Sequence, residues 1–346
     1  MTASLYFASP GQILVAAILV GVSNVGFGLS ENFISAFLPH IATRDNIGKI
    51  SGLAWGLGYF GGLSSIILCQ YATDLVFSLE NFHRLRWIGP ITATFFVLGS
   101  IPTFLFVREP PHVVSSEPLA SALRSAYQRL FNTLASVGKF RDLRTFLTAN
   151  FFFQGGVAIV ISFTALYANQ VVGIEGMWQA VFFISLQVSA ALGAFAFGTL
   201  QVRLGSVRSI NVTLLIWLTT TFLIYFLKPL GVIFGVEDLK LAFILVANMA
   251  GLCLGATQCC ARALVGIFSP PEKSGEFFGF WGFSGKLASV FAVITFGTLQ
   301  KVFSLEQGIL FCALLFGLGF VLNQKVNEAR GRNVATGKPF QRKILL

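Results

Sequence analysis

The sequence predicts an all-α polytopic membrane protein with about nine transmembrane helices. Of its 346 residues, 55% are hydrophobic and only 11% are charged, whereas a soluble globular domain carries about 25% charge. The mean hydropathy is +0.77, and the apolar residues gather in runs of about 20, the length that a helix needs to cross a bilayer. These runs lack the alternation of a β-barrel, so helices must satisfy their backbone groups in lipid.

The nine predicted spans follow one another along most of the chain. Each is long enough, at about 1.5 Å per residue, to cross about 30 Å of hydrocarbon, and the last two or three are the tightest fit. Their approximate limits are 12–36, 51–71, 88–107, 145–169, 177–200, 209–227, 239–262, 277–299 and 307–323.

The distribution of Lys and Arg predicts the orientation of these spans. The connections on one side, taken with the C-terminal tail, hold 18 of the 24 basic residues, and the opposite side holds 5. Cytoplasmic loops carry the excess of Lys and Arg in membrane proteins. We therefore expect the N-terminus outside and the C-terminus in the cytoplasm.

One long connection divides the spans into three and six. We expect a partial N-terminal bundle over residues 1–107, a cytoplasmic linker over 108–144, a six-helix bundle over 145–323 and a basic cytoplasmic tail over 324–346. Within the linker, apolar residues recur at helical spacing, which favours an amphipathic helix on the membrane surface. A solvated connection between two bundles is an equal alternative.

Composition and motifs exclude several classes of function. The net charge of +10 comes from basic residues scattered over the loops and the tail, so nucleic acid is not an expected partner. The five cysteines lie in or beside apolar runs, which indicates core residues rather than metal ligands or disulfides, and the three histidines lie in separate loops. Since no nucleophile, metal or nucleotide motif is present, we expect neither enzyme activity nor a cofactor.

Polar side chains inside the spans are the candidate site residues, because such groups are costly in lipid and usually face a cavity or a partner. In the first span, Glu31 and Asn32 lie near the predicted cytoplasmic end. A solute or proton contact and a bond to a neighbouring helix are equally supported there. In the fourth span, Asn150 and Gln154 are four residues apart and share a helix face. For these two, interhelical hydrogen bonding is favoured over ligand binding.

The seventh and eighth spans carry the strongest candidates. Gln258 and Arg262 are four residues apart at the predicted cytoplasmic mouth, where Arg262 could bind an anionic group or hold Glu276 in a gate. The alternative is that Arg262 is simply one of the basic residues that mark the cytoplasmic side of the membrane. Lys286 lies about 13–14 Å along its helix from Phe277, close to the bilayer midplane. A cavity-facing or ion-paired lysine is therefore favoured over a purely structural one.

Glycines mark two expected packing surfaces. In the second span they recur at small-xxx-small spacing, which lets helix backbones approach closely; the residues are Gly52, Gly56, Gly58, Gly61 and Gly62. In the eighth span a narrow strip of glycines precedes Lys286; the residues are Gly279, Gly282 and Gly285. We expect this strip to turn Lys286 toward protein or a cavity.

Two long blocks of the sequence resemble motifs of a known family. The first, over residues 255–286, reads GATQCCARALVGIFSPPEKSGEFFGFWGFSGK, and the second, over residues 31–62, reads ENFISAFLPHIATRDNIGKISGLAWGLGYFGG. Both are similar to motifs of the vacuole-effluxer-like branch of the major facilitator superfamily, the autophagy-related amino-acid effluxer-like proteins. Two positions depart from it, since Val202 and Gly155 stand where acidic residues are usual. These departures weaken a carried-over role in charge relay or proton coupling.

The resemblance implies a twelve-helix major-facilitator-type bundle, in which the nine spans correspond to the fourth through twelfth helices. On that correspondence, Met1 is expected to be an internal start and the first three helices to be missing. The resemblance also implies a secondary transporter that moves a small solute, with amino acids as the implied class, by alternating access. A truncated, transport-inactive membrane protein of the same family is the alternative.

The expected partners are therefore the lipid bilayer and a small-molecule solute, with proton coupling left open. The short loops favour the bacterial inner membrane over the vacuolar membrane. The polar residues named above in the first, fourth, seventh and eighth spans are the expected residues of the solute pathway and its gate.

Overall fold

The computed structural model describes residues 1–73, 79–108, 121, 125, 128, 140–236 and 238–337. Within this part of the chain, nine helices are long and apolar enough to cross a membrane, as the sequence predicts. They are α1 (Ile13–Ala36), α2 (Ile47–Thr73), α3 (Ile88–Phe106), α4 (Arg141–Gln170), α5 (Met177–Leu204), α6 (Ser206–Phe234), α7 (Lys240–Phe268), α8 (Ser274–Leu299) and α9 (Leu305–Asn323). A short helix, α10 (Glu328–Ala335), follows them.

Several helices extend beyond the predicted spans at the predicted cytoplasmic side. The hydropathy of a run marks the part that lies in lipid, whereas the helix itself continues until a residue interrupts it. The α7 helix runs to Phe268, six residues past its predicted end, and stops just before Pro270 and Pro271. Between α5 and α6 only Gly205 intervenes, with a positive φ of 86° that glycine adopts readily.

The predicted amphipathic helix of the linker lies almost entirely outside the described residues. Residues 141–144, which the sequence predicts to end that linker, form the first turn of α4. The predicted division into a three-helix and a six-helix bundle stays a prediction.

Contacts divide the chain into two units. The smaller unit comprises Met1–Ile34 and Phe60–Glu117, and the larger unit comprises Ser35–Tyr59 and Pro118–Leu346. In the smaller unit, a 3₁₀ helix over Thr2–Phe7 packs against the start of α3. There Arg86 lies over the Tyr6 ring, 4.1 Å from its centroid, and donates a hydrogen bond to the Tyr6 carbonyl at 2.8 Å.

The core of the larger unit is built around α7, which packs on α5 and α6, while α4 packs on α8 and α9. Aromatic rings fill the space between these helices, as where Trp217 of α6 stacks on Phe316 of α9 at 4.8 Å between centroids. The Trp217 indole nitrogen also donates a hydrogen bond to Thr257 of α7 at 3.1 Å. The five cysteines are free and buried, which confirms their prediction as core residues.

Glycines let α5 and α7 approach until their backbones touch. A Cβ atom at Gly193 would lie 1.9 Å from the Leu252 carbonyl oxygen, and one at Gly255 would lie 1.9 Å from the Ala190 carbonyl oxygen. Such distances leave no room for any side chain, and because both obstacles are backbone atoms they cannot rotate away. Each of the two helices α5 and α7 therefore contributes a glycine that lies against the backbone of the other helix, and these two contacts fix the pair.

We predict that Gly255→Ala destabilises the larger unit. Forcing extra volume into a packed core costs about 1–3 kcal/mol, which corresponds to a fall in Tm of roughly 2–12 °C for a unit of about 250 residues that unfolds cooperatively. Thermal unfolding in detergent measures it. Gly297→Ala on α8 is the matched control, since a Cβ there meets nothing within 4 Å. Equal Tm values for the two variants would contradict this account of α5–α7 packing.

Candidate functional site

The first turns of α2 lie directly against α5 in the larger unit. A Cβ at Gly52 would lie 2.5 Å from the Cα of Gly198, and a Cβ at Gly198 would lie 2.7 Å from the Cα of Gly52. The two helices therefore cross glycine on glycine, as the spacing in α2 predicts for this part of the helix. One turn later, a Cβ at Gly56 would overlap the Phe195 ring at 2.4 Å. At Gly58 and Gly61, by contrast, a Cβ would meet nothing within 4 Å, so the predicted close packing of glycines is not found at these two positions.

A buried arginine joins α7 to the same part of α2. Arg262 is only 9% exposed, and its guanidinium donates to the Ser51 hydroxyl at 3.0 Å and to the Ser51 carbonyl at 2.7 Å. The Ser51 hydroxyl in turn donates to the Cys259 carbonyl at 2.8 Å. The guanidinium also lies 5.5 Å from the ring of Trp55, within cation–π range. Because a buried charge without partners is very costly, these contacts tie Arg262 to α2.

Gln201 at the end of α5 makes a third link to α2. Its amide nitrogen donates to the Gly48 carbonyl at 3.1 Å, and its amide oxygen accepts a hydrogen bond from Ser206 at 2.9 Å. The Gln201 side chain is 3% exposed, so both halves of the amide are satisfied inside the protein. We call this contact surface the α2 seam; it consists of Gly48, Ser51, Gly52 and Trp55 against Gly198, Gln201, Cys259 and Arg262.

The loop before α2 is held at the same end of the bundle. The Arg44 guanidinium donates to the carbonyls of Ile267 and Ser269, which end α7. Cations are favoured at a helix C-terminus, where carbonyl groups lack partners. Burial, and to a lesser extent the positive charge of Arg332, lowers the pKa of Arg44 from its ordinary value. Arg44 thus holds the segment that leads into α2 against the end of α7, next to the α2 seam.

A second polar cluster joins α4, α7 and α8. The side-chain amides of Gln154 and Gln258 pair reciprocally, at 3.0 and 3.4 Å between donor and acceptor. One turn away, Asn150 accepts a hydrogen bond from the Trp281 indole nitrogen at 3.2 Å. The Asn150 side-chain nitrogen is buried and has no hydrogen-bond partner among the described residues. We call these four residues the amide patch, and they confirm the interhelical hydrogen bonding expected of Asn150 and Gln154.

The amide patch and the α2 seam meet on α7. Gln258 and Arg262 are one turn apart on this helix, about 6 Å along its axis. The first belongs to the amide patch and the second to the α2 seam. A movement of this turn of α7 relative to its neighbours would therefore disturb both clusters.

The roles of the other predicted site residues stay predictions. Glu31 and Asn32 are half-buried in the smaller unit, and a gate between Arg262 and Glu276 stays a prediction. Lys286 lies on α8, on the same face as the exposed Phe283 and Val290. Two glycines of the strip beside Lys286 do not pack closely, because a Cβ at Gly279 or Gly285 would meet nothing within 4 Å. The predicted close packing is wrong at these two positions, since glycine spacing alone does not specify whether a helix covers them.

Sequence reasoning missed Ser51 and Gln201. Ser51 lies among the small residues of the second span, where a serine is typical of one more packing residue. Gln201 lies at the predicted end of the fifth span, where an amide is ordinary because it reaches water. The signal that could have found them was the four-residue spacing of Gly48 and Gly52 beside Ser51, which marks the face of α2 that another backbone approaches.

Comparisons with known proteins place the chain in a family. Residues 1–336 match the family described as vacuole effluxer Atg22 like. The chain is 24% identical, over 347 residues, to the uncharacterized MFS-type transporter YxiO of Bacillus subtilis, covering 96% of this chain and 76% of that protein. It is 21% identical to autophagy-related protein 22-1 of Aspergillus fumigatus, covering 83% of this chain and 49% of that protein. The chain thus spans about half the length of this fungal relative.

Solved structures share the fold at low sequence identity. The crystal structure of the major facilitator superfamily transporter FucP in the outward conformation matches with a TM-score of 0.65 and 14% identity. That of a variant of the Escherichia coli fucose:proton symporter FucP matches with a TM-score of 0.66 and 16% identity. The matches cover 94% of this chain and 78% and 80% of the two FucP chains. The fold is therefore that of the major facilitator superfamily.

We predict that Gly52→Val forces the α2 seam apart and exposes Cys259, which lies beneath it and is fully buried. Overpacking by about 1–3 kcal/mol corresponds to a roughly 5- to 150-fold change in an equilibrium, so alkylation of Cys259 should accelerate at least fivefold. N-ethylmaleimide labelling in membrane vesicles, localised by fragment-ion mass spectrometry, measures this.

Gly58→Val is the matched control, because the same helix has open space at Gly58. Cys312, buried in α9, reports general loosening of the fold. An unchanged Cys259 rate in Gly52→Val, or an equal rise at Cys312, would count against closure by the α2 seam.

Proposed function

The chain belongs to the vacuole effluxer Atg22-like family of the major facilitator superfamily, and from that premise we propose that it is a secondary transporter. It moves a small solute across a membrane by alternating access, a mechanism in which one helical bundle opens and closes against another around a central site. The observation that carries this proposal is the α2 seam, which closes one end of the larger unit between α2, α5 and α7.

The composition of the α2 seam suits a contact that forms and separates. Its closest approach is between glycine backbones, which bury little apolar area, and its remaining links are hydrogen bonds from Arg262, Ser51 and Gln201. The bonds of Ser51 and Gln201 each have a net value of about 0.5–1.5 kcal/mol, and those of the charged Arg262 about 1.5–3 kcal/mol, because water replaces the partner on opening. Opening the α2 seam therefore exchanges these bonds for bonds to water and exposes little apolar surface.

The amide patch is our proposed solute contact. Gln154 lies 13 residues into α4, about 20 Å along its 30-residue length and so near its middle. When Gln154 and Gln258 separate, each offers a donor and an acceptor, and the unpartnered nitrogen of Asn150 offers another donor. We propose an amino acid as the solute, on the resemblance to the amino-acid effluxer-like proteins.

Gln258 and Arg262 provide the coupling in this proposal. A solute that draws Gln258 away from Gln154 moves the turn of α7 that also carries Arg262, so the contacts of Arg262 with Ser51 change with it. Binding at the amide patch thereby alters the stability of the α2 seam. Coupling of this kind requires that the solute bind the open and closed states with different affinity.

The ionisable residues outside the amide patch complete the proposal. Glu31, Glu276 and Lys286 are proposed to line the pathway or its gate and to carry a proton where transport is proton-coupled, with Asn32 beside Glu31. The proposed location is a bacterial inner membrane, with the basic end of the protein in the cytoplasm. The Bacillus subtilis relative is in keeping with that location.

We predict that the double variant Gln154→Leu/Gln258→Leu loses transport without losing the fold. Replacing both partners of a hydrogen bond by apolar groups of similar shape is nearly neutral for stability, whereas the solute loses two polar contacts of about 1 kcal/mol or more each. Uptake should fall at least tenfold, measured with a panel of amino acids in proteoliposomes. The Tm should change by only a few degrees.

Asn248→Leu is the matched control, because Asn248 also lies on α7 and bridges to Ser185 and Ser189 of α5 away from the amide patch. It should retain uptake. Absence of uptake of every amino acid by the unmodified protein would contradict the solute class. Full uptake by the double leucine variant would instead contradict the amide patch as the solute contact.

A further inference from the structure

Helix α10 lies across the ends of several helices in the larger unit and is anchored to α4 by an ion pair whose carboxylate is buried. The Arg330 guanidinium donates to both carboxylate oxygens of Asp142 at 2.6 Å, and the Asn327 backbone N–H donates to the same carboxylate at 2.9 Å. The Asp142 side chain is only 3% exposed. The hydrogen bond to Asp142 raises the pKa of Arg330. Removing the arginine of such a bidentate pair is costly, because it leaves the buried Asp142 carboxylate without its charged partner.

A second anchor joins α10 to the start of α6. The Glu328 carboxylate accepts a hydrogen bond from the Val207 backbone N–H at 2.9 Å, in the first turn of α6, where N–H groups lack partners within the helix. Burial raises the pKa of Glu328, against the opposing effect of the backbone N–H groups of Val207 and Ser206. A Cβ at Gly331 would lie 2.3 Å from the Phe268 ring at the end of α7. The body of α10 is therefore fixed to the bundle.

The exposed edge of α10 reaches the segment that leads into α2. Arg332 donates to the Asp45 carboxylate at 2.8 Å, and the two side chains are 45% and 83% exposed. The neighbouring Arg44 is already tied to the end of α7. Asp45 stands two residues before α2 begins at Ile47, and so close to Gly48, the first residue of the α2 seam.

We propose that α10 is a clasp on the α2 seam. Its anchors at Asp142 and Val207 stay in place while its ion pair with Asp45 holds the start of α2 against the bundle, and the seam opens when that ion pair separates. The proposal rests on the alternating-access function proposed above, because it requires the α2 seam to open during transport.

The difference between the two ion pairs of α10 supports this division of roles. The Arg330–Asp142 pair is bidentate, and its carboxylate is 3% and its guanidinium side chain 32% exposed, whereas the Arg332–Asp45 pair is exposed on both sides and held by one short contact. Exposed pairs contribute little and are weakened further by salt, since mobile ions screen them. The Arg330–Asp142 pair is therefore suited to stay formed throughout the transport cycle. The weaker Arg332–Asp45 pair is suited to separate when the α2 seam opens.

Alkylation of the buried Cys259 beneath the α2 seam tests the clasp. Asp45→Asn and Arg332→Gln should each raise the labelling rate by N-ethylmaleimide in vesicles about 1.5- to 5-fold, the range that an exposed ion pair supports. The double variant Asp45→Asn/Arg332→Gln should rise no further than either single variant, because both remove the same interaction. Arg332→Lys, which keeps the charge, should label like the unmodified protein.

Two controls separate the clasp from other effects. Arg203→Gln removes a basic residue at the end of α5 that has no ion pair among the described residues, and it should leave the rate unchanged. The rate at Cys312 in α9 should stay constant in every variant. A parallel rise at Cys312 would assign the effect to loosening of the fold and overturn the clasp.

The outcomes also distinguish two failures: that α10 does not control the α2 seam, and that the α2 seam does not open at all. If Gly52→Val accelerates labelling of Cys259 while Asp45→Asn and Arg332→Gln do not, the α2 seam opens without control by α10, and the clasp is wrong. If Cys259 stays protected in all of these variants, the α2 seam does not open, which overturns the proposed gate and the clasp together.

Discussion

The contact of Gly52 on Gly198 is the constraint on which the closed end of the larger unit depends. Only when the two backbones touch does Ser51 come within hydrogen-bond distance of Arg262 on α7, and only then does Gln201 reach the Gly48 carbonyl. A guanidinium buried at 9% exposure needs those partners, since an uncompensated charge in such a place would cost several kcal/mol. The steric fit and the polar contacts therefore require each other.

The α7 helix is the element through which these contacts reach the rest of the protein. It packs on α5 through glycines, pairs Gln258 with α4, binds α2 through Arg262 and supports Arg44 and α10 at its end. Its middle and its end are joined by continuous helix, so they shift together. In the proposed alternating-access cycle, an element with partners on several helices is well placed to link solute binding to the α2 seam.

The sequence predicted the part of the fold that the bilayer imposes and missed the part set by contacts between distant segments. The nine long helices among the described residues follow from apolar runs, because lipid leaves the backbone few alternatives. Asn150 and Gln154 were recognisable because polar groups are conspicuous in such runs. Gln201, Asp142 and Glu328 were not recognisable, because polar residues at helix ends normally meet water. Their partners Gly48, Arg330 and Val207 lie more than 100 residues away. Gly279 and Gly285 illustrate the opposite error, since glycine spacing predicts close packing only where a neighbouring helix lies over those positions.

The most direct test of the central claim is to lock the α2 seam and measure transport. A Cβ at Gly48 would lie 2.5 Å from the Gln201 Cγ, which places cysteines at positions 48 and 201 within disulfide range. If the seam must open, Gly48→Cys/Gln201→Cys proteoliposomes that also carry Cys259→Ser, which removes the native thiol beside Gln201, lose uptake on oxidation and regain it on reduction. Each single cysteine variant on the same Cys259→Ser background is insensitive to both treatments. Full uptake with the disulfide formed, as verified by mass spectrometry, would contradict the account.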